Sequence, residues 1–342
     1  MKLTKILGLV AFMLFSGVLL RGQGWIKEYQ SPTGKLISTS SVASRNNGFV
    51  SVCRVFTSNT APYTLAIIKA DSNGTLVWQN FFNDILTQFN GLKTGSGIDS
   101  LNIIQSNDDG YIISISHDPP LNSIILKIDE LGNQVWLKQF SIGNAGQPVQ
   151  IIANKAKNNY CLYDGLKLMR INNSGTLIRE DNIFISKKIY ATKLIPAAAN
   201  SSADFVGIGQ TDLSTIPNTT LPVAIFGNTF FEIFANDSFK VIESSRGIVQ
   251  SGYDLFGLTD GSFIVFAKNS TTQLVKVSAD YKLQWSKSIS MIDSYIRIAA
   301  TPDNGFITGG GSEFNPYLQE ITRYYKNGSI VWQKKPFKSG YY

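Results

Sequence analysis

Short apolar stretches separated by polar turns run along almost the whole chain. The clearest example pairs the apolar stretch Ile67–Ala70 with the polar turn Asp71–Gly74 and a second apolar stretch, Thr75–Phe81, that contains Trp78. The Asn-Gly pair in this turn supplies the positive φ angles that a tight hairpin requires. The pattern therefore predicts a strand, a tight turn and a second strand.

The same pattern recurs at 126–136 and at 323–332, each time with a Trp four residues after a Gly. Taken as a phase mark, this position falls at Trp25, Trp78, Trp136, Arg179, Glu243, Trp285 and Trp332. The marks lie 42 to 64 residues apart, so the period varies through insertions. The chain is therefore predicted to be built from internal repeats.

A second mark lies once in each interval: a polar turn followed by an aromatic residue that opens an apolar strand. These aromatic residues are Phe49, Tyr111, Tyr160, Phe205, Phe263 and Phe306. Together the two marks divide each repeat into four short strands. In the first repeat the strands are predicted at Leu36–Ala43, Phe49–Phe56, Thr64–Ala70 and Thr75–Phe81.

Repeats of about fifty residues with four antiparallel strands each are typical of a β-propeller. The sequence thus predicts an all-β fold in which residues 25–342 form a single propeller domain. Six blades are favoured and seven remain possible. Trp25–Gln30 resembles the last strand of a repeat and is expected to add to a sheet edge.

Residues 1–24 are predicted to be a secretory signal. Lys2 and Lys5 precede an apolar run of 15 residues, Ile6–Leu20, which is followed by small residues suited to cleavage. A retained membrane anchor would need roughly 20 apolar residues. We therefore expect a secreted, periplasmic or outer cell-surface protein with no stable membrane insertion after cleavage.

The net charge gives little support for nucleic-acid binding. The whole chain carries a formal charge of +7. Loss of residues 1–24 removes Lys2, Lys5 and Arg21 and no acidic residue, which leaves +4. No dense basic block remains, so a glycan or a protein is the expected partner.

The repeats resemble those of secreted propeller-repeat proteins from Bacteroidetes-type bacteria. The resemblance rests on the Asp-x-x-Gly-x-x-x-Trp spacing, on Trp332-Gln-Lys334 and on Asp108–Ile113. It implies fold and export rather than a reaction. The Gly-x-x-x-Trp turn is also similar to the tryptophan-docking motif of quinoprotein dehydrogenases, which implies a quinone and calcium. Those enzymes often use adjacent cysteines, whereas Cys53 and Cys161 are far apart, so no cofactor is expected.

The candidate catalytic motifs are isolated. His117 is the only histidine, in a loop after the second strand of its repeat, and a lone histidine cannot form a multi-histidine metal site. Asp108-Asp109-Gly110 and Asp303-Asn304-Gly305 are interpreted as turns rather than calcium loops, since both lack the further oxygen ligands. Strand alternation places Cys53 and Cys161 on opposite blade faces, so two free thiols are predicted.

The favoured function is that of a binding or scaffold propeller at the cell surface, without catalysis. A carboxylate-dependent hydrolase or lyase with its site at the central channel is the alternative, and a structural repeat in an envelope complex is a third possibility. Clustered acids on the first strands would favour the enzyme. The stretches at 37–42 and 101–104 contain none.

The long connections are predicted to lie on one face of the propeller and to carry the binding site. They are Thr57–Tyr63, Asn83–Gly97, His117–Asn122, Gln210–Thr229 and Ser312–Tyr317. Loops of this length in a compact fold are usually functional or disordered, and aromatic residues suit sugar rings or a protein partner. The candidate binding residues are Tyr63, Phe89, His117, Asp118, Phe314 and Tyr317.

Overall fold

The computed structural model contains six four-stranded antiparallel sheets, arranged as the blades of a β-propeller. It describes residues 29, 31, 35–44, 48–56, 64–83, 85, 98–117, 123–142, 149–154, 159–182, 189–198, 201–211, 227–234, 238–242, 252–268, 272–289, 297–301, 303, 305–310 and 320–334. All the regular elements among them are strands, and no helix in this part of the chain is long and apolar enough to cross a membrane. The predicted all-β, six-bladed fold is confirmed.

The strands follow one another in chain order within each blade. Blade 1 is β1 Lys35–Ala43, β2 Phe49–Phe56, β3 Thr64–Ala70 and β4 Leu76–Phe82. Blade 2 is β5 Ile98–Gln105, β6 Tyr111–His117, β7 Ser123–Ile128 and β8 Gln134–Phe140. Blade 3 is β9 Gln150–Ala153, β10 Asn159–Tyr163, β11 Leu168–Asn172 and β12 Leu177–Asp181.

The remaining blades repeat this order. Blade 4 is β13 Ile189–Pro196, β14 Phe205–Thr211, β15 Gly227–Ile233 and β16 Phe239–Ile242. Blade 5 is β17 Gly252–Gly257, β18 Phe263–Lys268, β19 Thr272–Val277 and β20 Leu283–Ser288. Blade 6 is β21 Arg297–Ala300, β22 Phe306–Gly310, β23 Glu320–Tyr324 and β24 Ile330–Lys334. Blade 1 belongs to one compact unit, Met1–Gly95, and blades 2–6 form a second, Ser96–Tyr342.

The hairpin between the third and fourth strands has the turn chemistry that the sequence predicts. Asp71 Oδ1 accepts hydrogen bonds from the amides of Asn73 and Thr75, both at 2.8 Å. Gly74 closes the turn with φ +73°. A side-chain acceptor that bonds its own backbone two and four residues ahead stabilises the turn without help from the rest of the fold.

The glycine that precedes the aromatic mark has a different role, because it is required by a close backbone approach. A Cβ atom on Gly110 would lie 2.3 Å from the carbonyl oxygen of Ile128, at the end of the third strand. A Cβ on Gly305 would meet the carbonyl oxygen of Tyr324 at 2.4 Å. Real Cβ atoms do not approach backbone oxygen so closely, so blades 2 and 6 require glycine here. Blade 4 has Asp204 at this position, and its amide instead donates to the carbonyl of Ile233 at 2.8 Å.

Within the second unit, the hydrophobic core lies between neighbouring blades. Cys161 and Tyr163 of blade 3 pack with Leu194 and Phe231 of blade 4. Ile208 of blade 4 belongs to a cluster that also contains residues of blade 5. Neighbouring blades meet through their first strands, since β5, β9, β13, β17 and β21 contact one another in that order. Each sheet thus covers a face of the next, as a propeller requires.

The burial of the strands changes across each blade. Every residue of the third strand β7 is buried, whereas the fourth strand β12 is exposed over four of its five residues. Because the first strands of neighbouring blades contact one another, they are called inner strands below. The fourth strands are called outer strands. The tryptophan mark stands at the start of an outer strand, where one flank meets the core and the other meets solvent.

Three details differ from the sequence-based expectations. Glu243 lies outside the described residues, and in blade 4 the register position of the tryptophan mark holds Lys240, opposite Glu232. His117 is the last residue of β6, paired with Ile98, rather than a loop residue. The inner strands do carry acids, since Asp99 lies on β5 and Asp254 on β17. The stretches considered in the sequence missed them because the blade 2 stretch began at Leu101 and blade 5 was not considered.

Only Tyr29 and Ser31 are described near the N-terminal strand predicted at Trp25–Gln30, so that strand lies largely outside the described residues. Tyr29 packs edge-on against Phe49, with ring centroids 6.3 Å apart. Its hydroxyl donates a hydrogen bond to the carbonyl of Gly74 at 2.7 Å. Within the first unit, Tyr29 is therefore held on the hairpin of blade 1.

Both cysteines are buried thiols in separate blades, Cys53 on β2 and Cys161 on β10. Cys53 packs with Val55 and Ala66 of its own blade, and Cys161 packs in the core between blades 3 and 4. Each behaves as a small apolar core residue in these surroundings.

The hairpin glycines provide a test of how the blades are joined. Gly328 has φ +77°, and a Cβ there would lie 2.9 Å from Cη2 of Trp285 on blade 5. We expect Gly328→Ala to lower the free energy of unfolding by about 1 to 3 kcal/mol, through backbone strain and the clash. Urea denaturation followed by tryptophan fluorescence measures this loss.

The matched control is Gly309→Ala on β22 of the same blade, where an added Cβ meets nothing within 4 Å. It should change the free energy of unfolding by less than about 0.5 kcal/mol. Equal losses in the two variants would show that the aromatic contact with the hairpin does not hold blade 6 on blade 5.

Candidate functional site

A polar residue stands at the same register position on every inner strand. Counted from the residue paired with the aromatic mark, the fourth residue is polar in all six blades. In blades 2–6 these residues are Asn102, Gln150, Lys193, Asp254 and Arg297, which we call the inner polar row. Ser40 holds this position in blade 1. A repeat whose neighbouring positions are mostly apolar thus keeps one polar level at its inner edge.

Blade 3 anchors its member of the row through a buried tyrosine. The Tyr163 hydroxyl donates to Oε1 of Gln150 at 2.7 Å and accepts the amide N–H of Leu194, in blade 4, also at 2.7 Å. Burial, together with the charge of Asp254, raises the pKa of Tyr163 far above its ordinary value of 10.0. The phenol therefore stays neutral and fixes Gln150 against the inner strand of blade 4.

Blades 4 and 5 meet in an ion pair between two members of the row. Lys193 Nζ lies 3.3 Å from Oδ1 of Asp254. The Asp254 side chain is 7% exposed and that of Lys193 is 27% exposed, so the ammonium is the accessible partner. Asp254 Oδ1 also accepts the amide N–H of Leu255 at 3.1 Å. A carboxylate held in this way orients the lysine and offsets its charge.

The inner strands of blades 4 and 5 shift register next to this pair. The shift lies between Ala191 and Lys193 on β13, and between Gly252 and Asp254 on β17. Bulges of this kind redirect a side chain and often lie beside functional sites. Blade 1 has the same shift before Ser40, so the bulge belongs to the repeat, and in blades 4 and 5 the residue that follows it is one partner of the ion pair.

A second polar cluster joins blades 2 and 3 on the side of the tight turns. Lys127 Nζ, on a nearly fully buried side chain, contacts Oδ2 of Asp108 at 2.5 Å and Oδ1 of Asn173 at 2.6 Å. Partial burial alone would raise the pKa of Asp108, but hydrogen bonds from Lys127, Ser106 and Asn173 outweigh this and hold it well below 3.8. The cluster satisfies its own charges and has a structural role.

The same cation position recurs along the repeat. Arg170 of blade 3 pairs with Asp204 of blade 4 at 3.2 Å, and Arg323 pairs with Asp303 at 2.8 Å within blade 6. The described parts of the two acidic stretches, Asp108–Gly110 and Asp303, lie in turns, and several such turns also hold a cation of the third strand. Sequence reasoning missed these cations, although a Lys or Arg stands two residues before the turn in five repeats.

Most of the binding residues predicted from the sequence lie outside the described residues: Tyr63, Phe89, Asp118, Phe314 and Tyr317. His117 is described only through its backbone, as the end of β6. Their role in binding stays a prediction.

A feature that sequence reasoning missed is the exposure of aliphatic side chains at the start of the outer strands. In blades 2, 3, 5 and 6 they are Val135 (54% exposed), Leu177 (45%), Ile178 (52%), Leu283 (54%) and Ile330 (54%), which we call the outer apolar rim. Leu76 and Val77 take the same place in blade 1. In the sequence these residues look like core, because they are aliphatic and stand one or two positions before the tryptophan mark.

The described groups limit the chemistry of the inner polar row. None of the described residues form a cluster of three or more His, Cys, Asp or Glu able to hold a metal ion. Hydrolysis of a glycosidic bond by the usual route needs two carboxyl groups flanking the bond. Asp254 instead has a lysine as its partner, so the row is suited to binding a charged or polar group.

Comparisons with known proteins support the fold alone. No family model matches this chain, and no curated protein is similar to it. A functionally unknown protein from Desulfotomaculum acetoxidans has a TM-score of 0.53 at 9% identity, over 89% of this chain and 90% of its own. A protein from Lactobacillus plantarum has a TM-score of 0.52 at 11% identity, over 86% and 84%.

A third solved structure, BBS1N in complex with ARL6DN, has a TM-score of 0.52 at 9% identity and covers 92% of this chain and 87% of its own. At such identities the likeness shows a shared propeller architecture and nothing about activity. The resemblance to Bacteroidetes-type repeat proteins and to tryptophan-docking enzymes stays an expectation from the sequence.

The Asp108 cluster predicts how stability changes in acid. A carboxyl group whose pKa is depressed in the folded state contributes stability above its unfolded value of 3.8, and this contribution is lost as the pH falls below it. Because the Asp108 side chain is 46% exposed, we expect Asp108→Asn to cost only about 1 to 2 kcal/mol at pH 7.

The variant should lose less stability than the wild type between pH 5 and pH 2, measured as melting temperature by circular dichroism. Glu130→Gln is the control, since that exposed side chain lies in another turn of the same blade. If Asp108→Asn and the wild type follow parallel acid profiles, the cluster is not the source of acid sensitivity.

Proposed function

We propose that the protein is an exported binding propeller whose outer strands dock a protein partner. The outer apolar rim is the observation that carries this proposal. A single exposed aliphatic residue is ordinary on a protein surface. Aliphatic residues repeated at one place in four blades of the second unit, each about half exposed, form the kind of surface that interfaces use.

The chemistry of the rim favours a protein over a glycan. Sugar-binding surfaces generally rely on flat aromatic rings, whereas the exposed residues of the outer apolar rim are Val, Leu and Ile. The same strands carry Lys138, Arg179, Lys287 and Lys334. A partner surface that combines apolar and acidic residues would complement them, since opposite potentials speed and orient association.

The centre of the proposed surface is the outer strand of blade 3. Leu177, Ile178, Arg179 and Glu180 are all exposed there, and this blade, like blade 4, lacks the tryptophan found on the outer strands of the other blades. Because β12 is the last strand of its sheet, its outward edge can also accept hydrogen bonds from a partner strand. The blade that contributes least to the core at this position offers the most for binding.

The test uses a photo-crosslinker, p-benzoylphenylalanine, placed at residue 178 in cells that produce the protein. We expect a discrete adduct with one protein. The purified pair should then bind at least about tenfold more weakly when Leu177 and Ile178 are both changed to Glu. The melting temperature of the double variant should be nearly that of the wild type, because the Leu177 and Ile178 side chains are both exposed.

The matched control is Ser288→Glu, which adds a charge at the exposed far end of another outer strand. Crosslinkers at residues 89 and 317 probe the loop residues predicted from the sequence. Adducts from these loop positions alone would contradict the rim and favour the long-loop face. A glycan bound with equal affinity by the Leu177→Glu, Ile178→Glu double variant would also contradict it.

Export is part of the proposal, and its support is the sequence of residues 1–24. When the full chain is produced in a Gram-negative host, we expect the mature protein outside the cytoplasm, with its first residue near Trp25. Mass spectrometry of the intact protein measures this. A full-length cytoplasmic product that begins at Met1 would overturn the export proposal and leave the rim to be tested separately.

A further inference from the structure

We propose that the inner polar row binds the carboxylate of a small hydroxylated acid, with Lys193 as the residue that receives it. This site is separate from the outer apolar rim and would serve a ligand of a different class. Its groups come from the inner strands of four consecutive blades, 2 to 5.

The ammonium group of Lys193 has more hydrogen-bond donors than its described partner uses. An ammonium group has three N–H donors and no acceptor. Among the described residues, its partner is Asp254 at 3.3 Å. A side chain that is 27% exposed on the inner strand β13 therefore presents a cation with donors to spare. An anionic oxygen is the group that uses both the charge and the donors.

The residues around Lys193 hold its ammonium group in place. Asp254 is almost fully buried and hydrogen-bonded to the backbone, so it cannot move to follow the lysine. The register shifts on β13 and β17 stand directly beside both residues. Preorganisation of this kind reduces the ordering that a ligand must otherwise impose. It distinguishes Lys193 from a lysine in an exposed turn, such as Lys282.

The charges in the inner polar row indicate the charge of the ligand. Lys193 and Asp254 together carry no net charge, and Asp254 would repel a second dense negative charge nearby. A phosphate monoester carries close to two negative charges at neutral pH, whereas a carboxylate carries one. Arg297, the member of the row on β21 next to β17, leaves the whole row with one net positive charge, which a monoanion neutralises.

The neutral members of the inner polar row indicate the chemistry of the rest of the ligand. Asn102 stands at the same register position on β5, which adjoins β9 of blade 3. Its Oδ1 atom is buried and accepts no hydrogen bond from the described protein atoms. A buried acceptor of this kind calls for a donor, and a ligand hydroxyl supplies one when the partly exposed Asn102 side chain turns toward it. Gln150, fixed by Tyr163 on the strand between, adds a polar amide at the same level. A carboxylate with hydroxyl groups, as in a sugar acid, fits this set.

The experiment is calorimetric titration of the full chain, after signal removal where it occurs, with D-gluconate, D-glucuronate and D-galacturonate. Glucose and galactose are the uncharged comparisons. We expect at least one acid to bind, and its uncharged counterpart to bind at least about tenfold more weakly. Added salt should weaken binding of the acid, since the contact is ionic.

The decisive variant is Lys193→Met combined with Asp254→Asn, which removes both charges and so leaves no unpaired buried ion. It should reduce affinity for the acid at least about tenfold. The control Lys282→Met removes an equivalent charge from an exposed turn and should bind as the wild type does. Lys193→Arg, which keeps the cation, should retain the preference for acids over sugars even if the double variant folds poorly.

Three results would overturn the proposal: no binding of any of the three acids at 20 mM, equal binding of acid and uncharged sugar, or wild-type affinity in the double variant. None of these outcomes bears on the outer apolar rim, which is tested by crosslinking on other strands. Failure of the rim likewise leaves the inner polar row unaffected.

Discussion

The contact between an aromatic side chain and the hairpin of a neighbouring blade is the interaction on which the second unit depends. Trp136 of blade 2 lies against Gly175 of blade 3, and its indole N–H donates to the carbonyl of Asn173 at 3.0 Å. Lys138, two residues on, donates to the carbonyls of Ser174 and Gly175 at 2.9 and 3.0 Å. The glycine is needed both for its positive φ and for the space that the indole fills. The hairpin that contains this glycine thus closes a turn in its own blade and also binds the tryptophan of the preceding blade.

The junction between blades 4 and 5 shows that the contact, rather than the tryptophan, is what must be kept. Blade 4 has Lys240 in place of the tryptophan and Glu232 in place of the third-strand cation. The hairpin of blade 5 in turn has Tyr281, at φ +62°, where the other described hairpins have glycine. The Tyr281 hydroxyl donates to Oε1 of Glu232 at 2.7 Å, and its ring stacks on Phe263.

The aromatic group at this junction therefore comes from the following blade and reaches back, instead of coming from the preceding blade and reaching forward. The charge of the third strand has changed sign to match, because a phenol donates to a carboxylate and not to an ammonium. A non-glycine residue at positive φ is uncommon, and here the hydrogen bond and the stacked rings offset its strain. Changes at three separate positions of the sequence are explained by one reversal of direction.

The fold was open to prediction because its marks have local physical causes. The tryptophan and the hairpin glycine depend on each other, and Gly110 is fixed by the carbonyl of Ile128. Blade 4 was placed less well, since the outer strand there lacks the register shift found in the other blades and Lys240 takes the expected place. The inner polar row was out of reach, because no local pattern reveals that Lys193 and Asp254, about sixty residues apart in sequence, lie 3.3 Å apart. It appears only once the register of every inner strand is known.

The two proposed surfaces occupy the positions that the repeat does not use for packing. The second and third strands are mostly buried, least so at β23, and the tight turns are held by their own side chains and by the third-strand cations. The fourth inner-strand residue and the exposed start of the outer strand lie outside the hydrophobic core that joins the blades. Their side chains can therefore vary from blade to blade while that core is kept. The variation seen there, from Asn102 to Lys193 and Asp254 inside and from Val135 to Leu283 outside, is the freedom that a repeat fold gives to function.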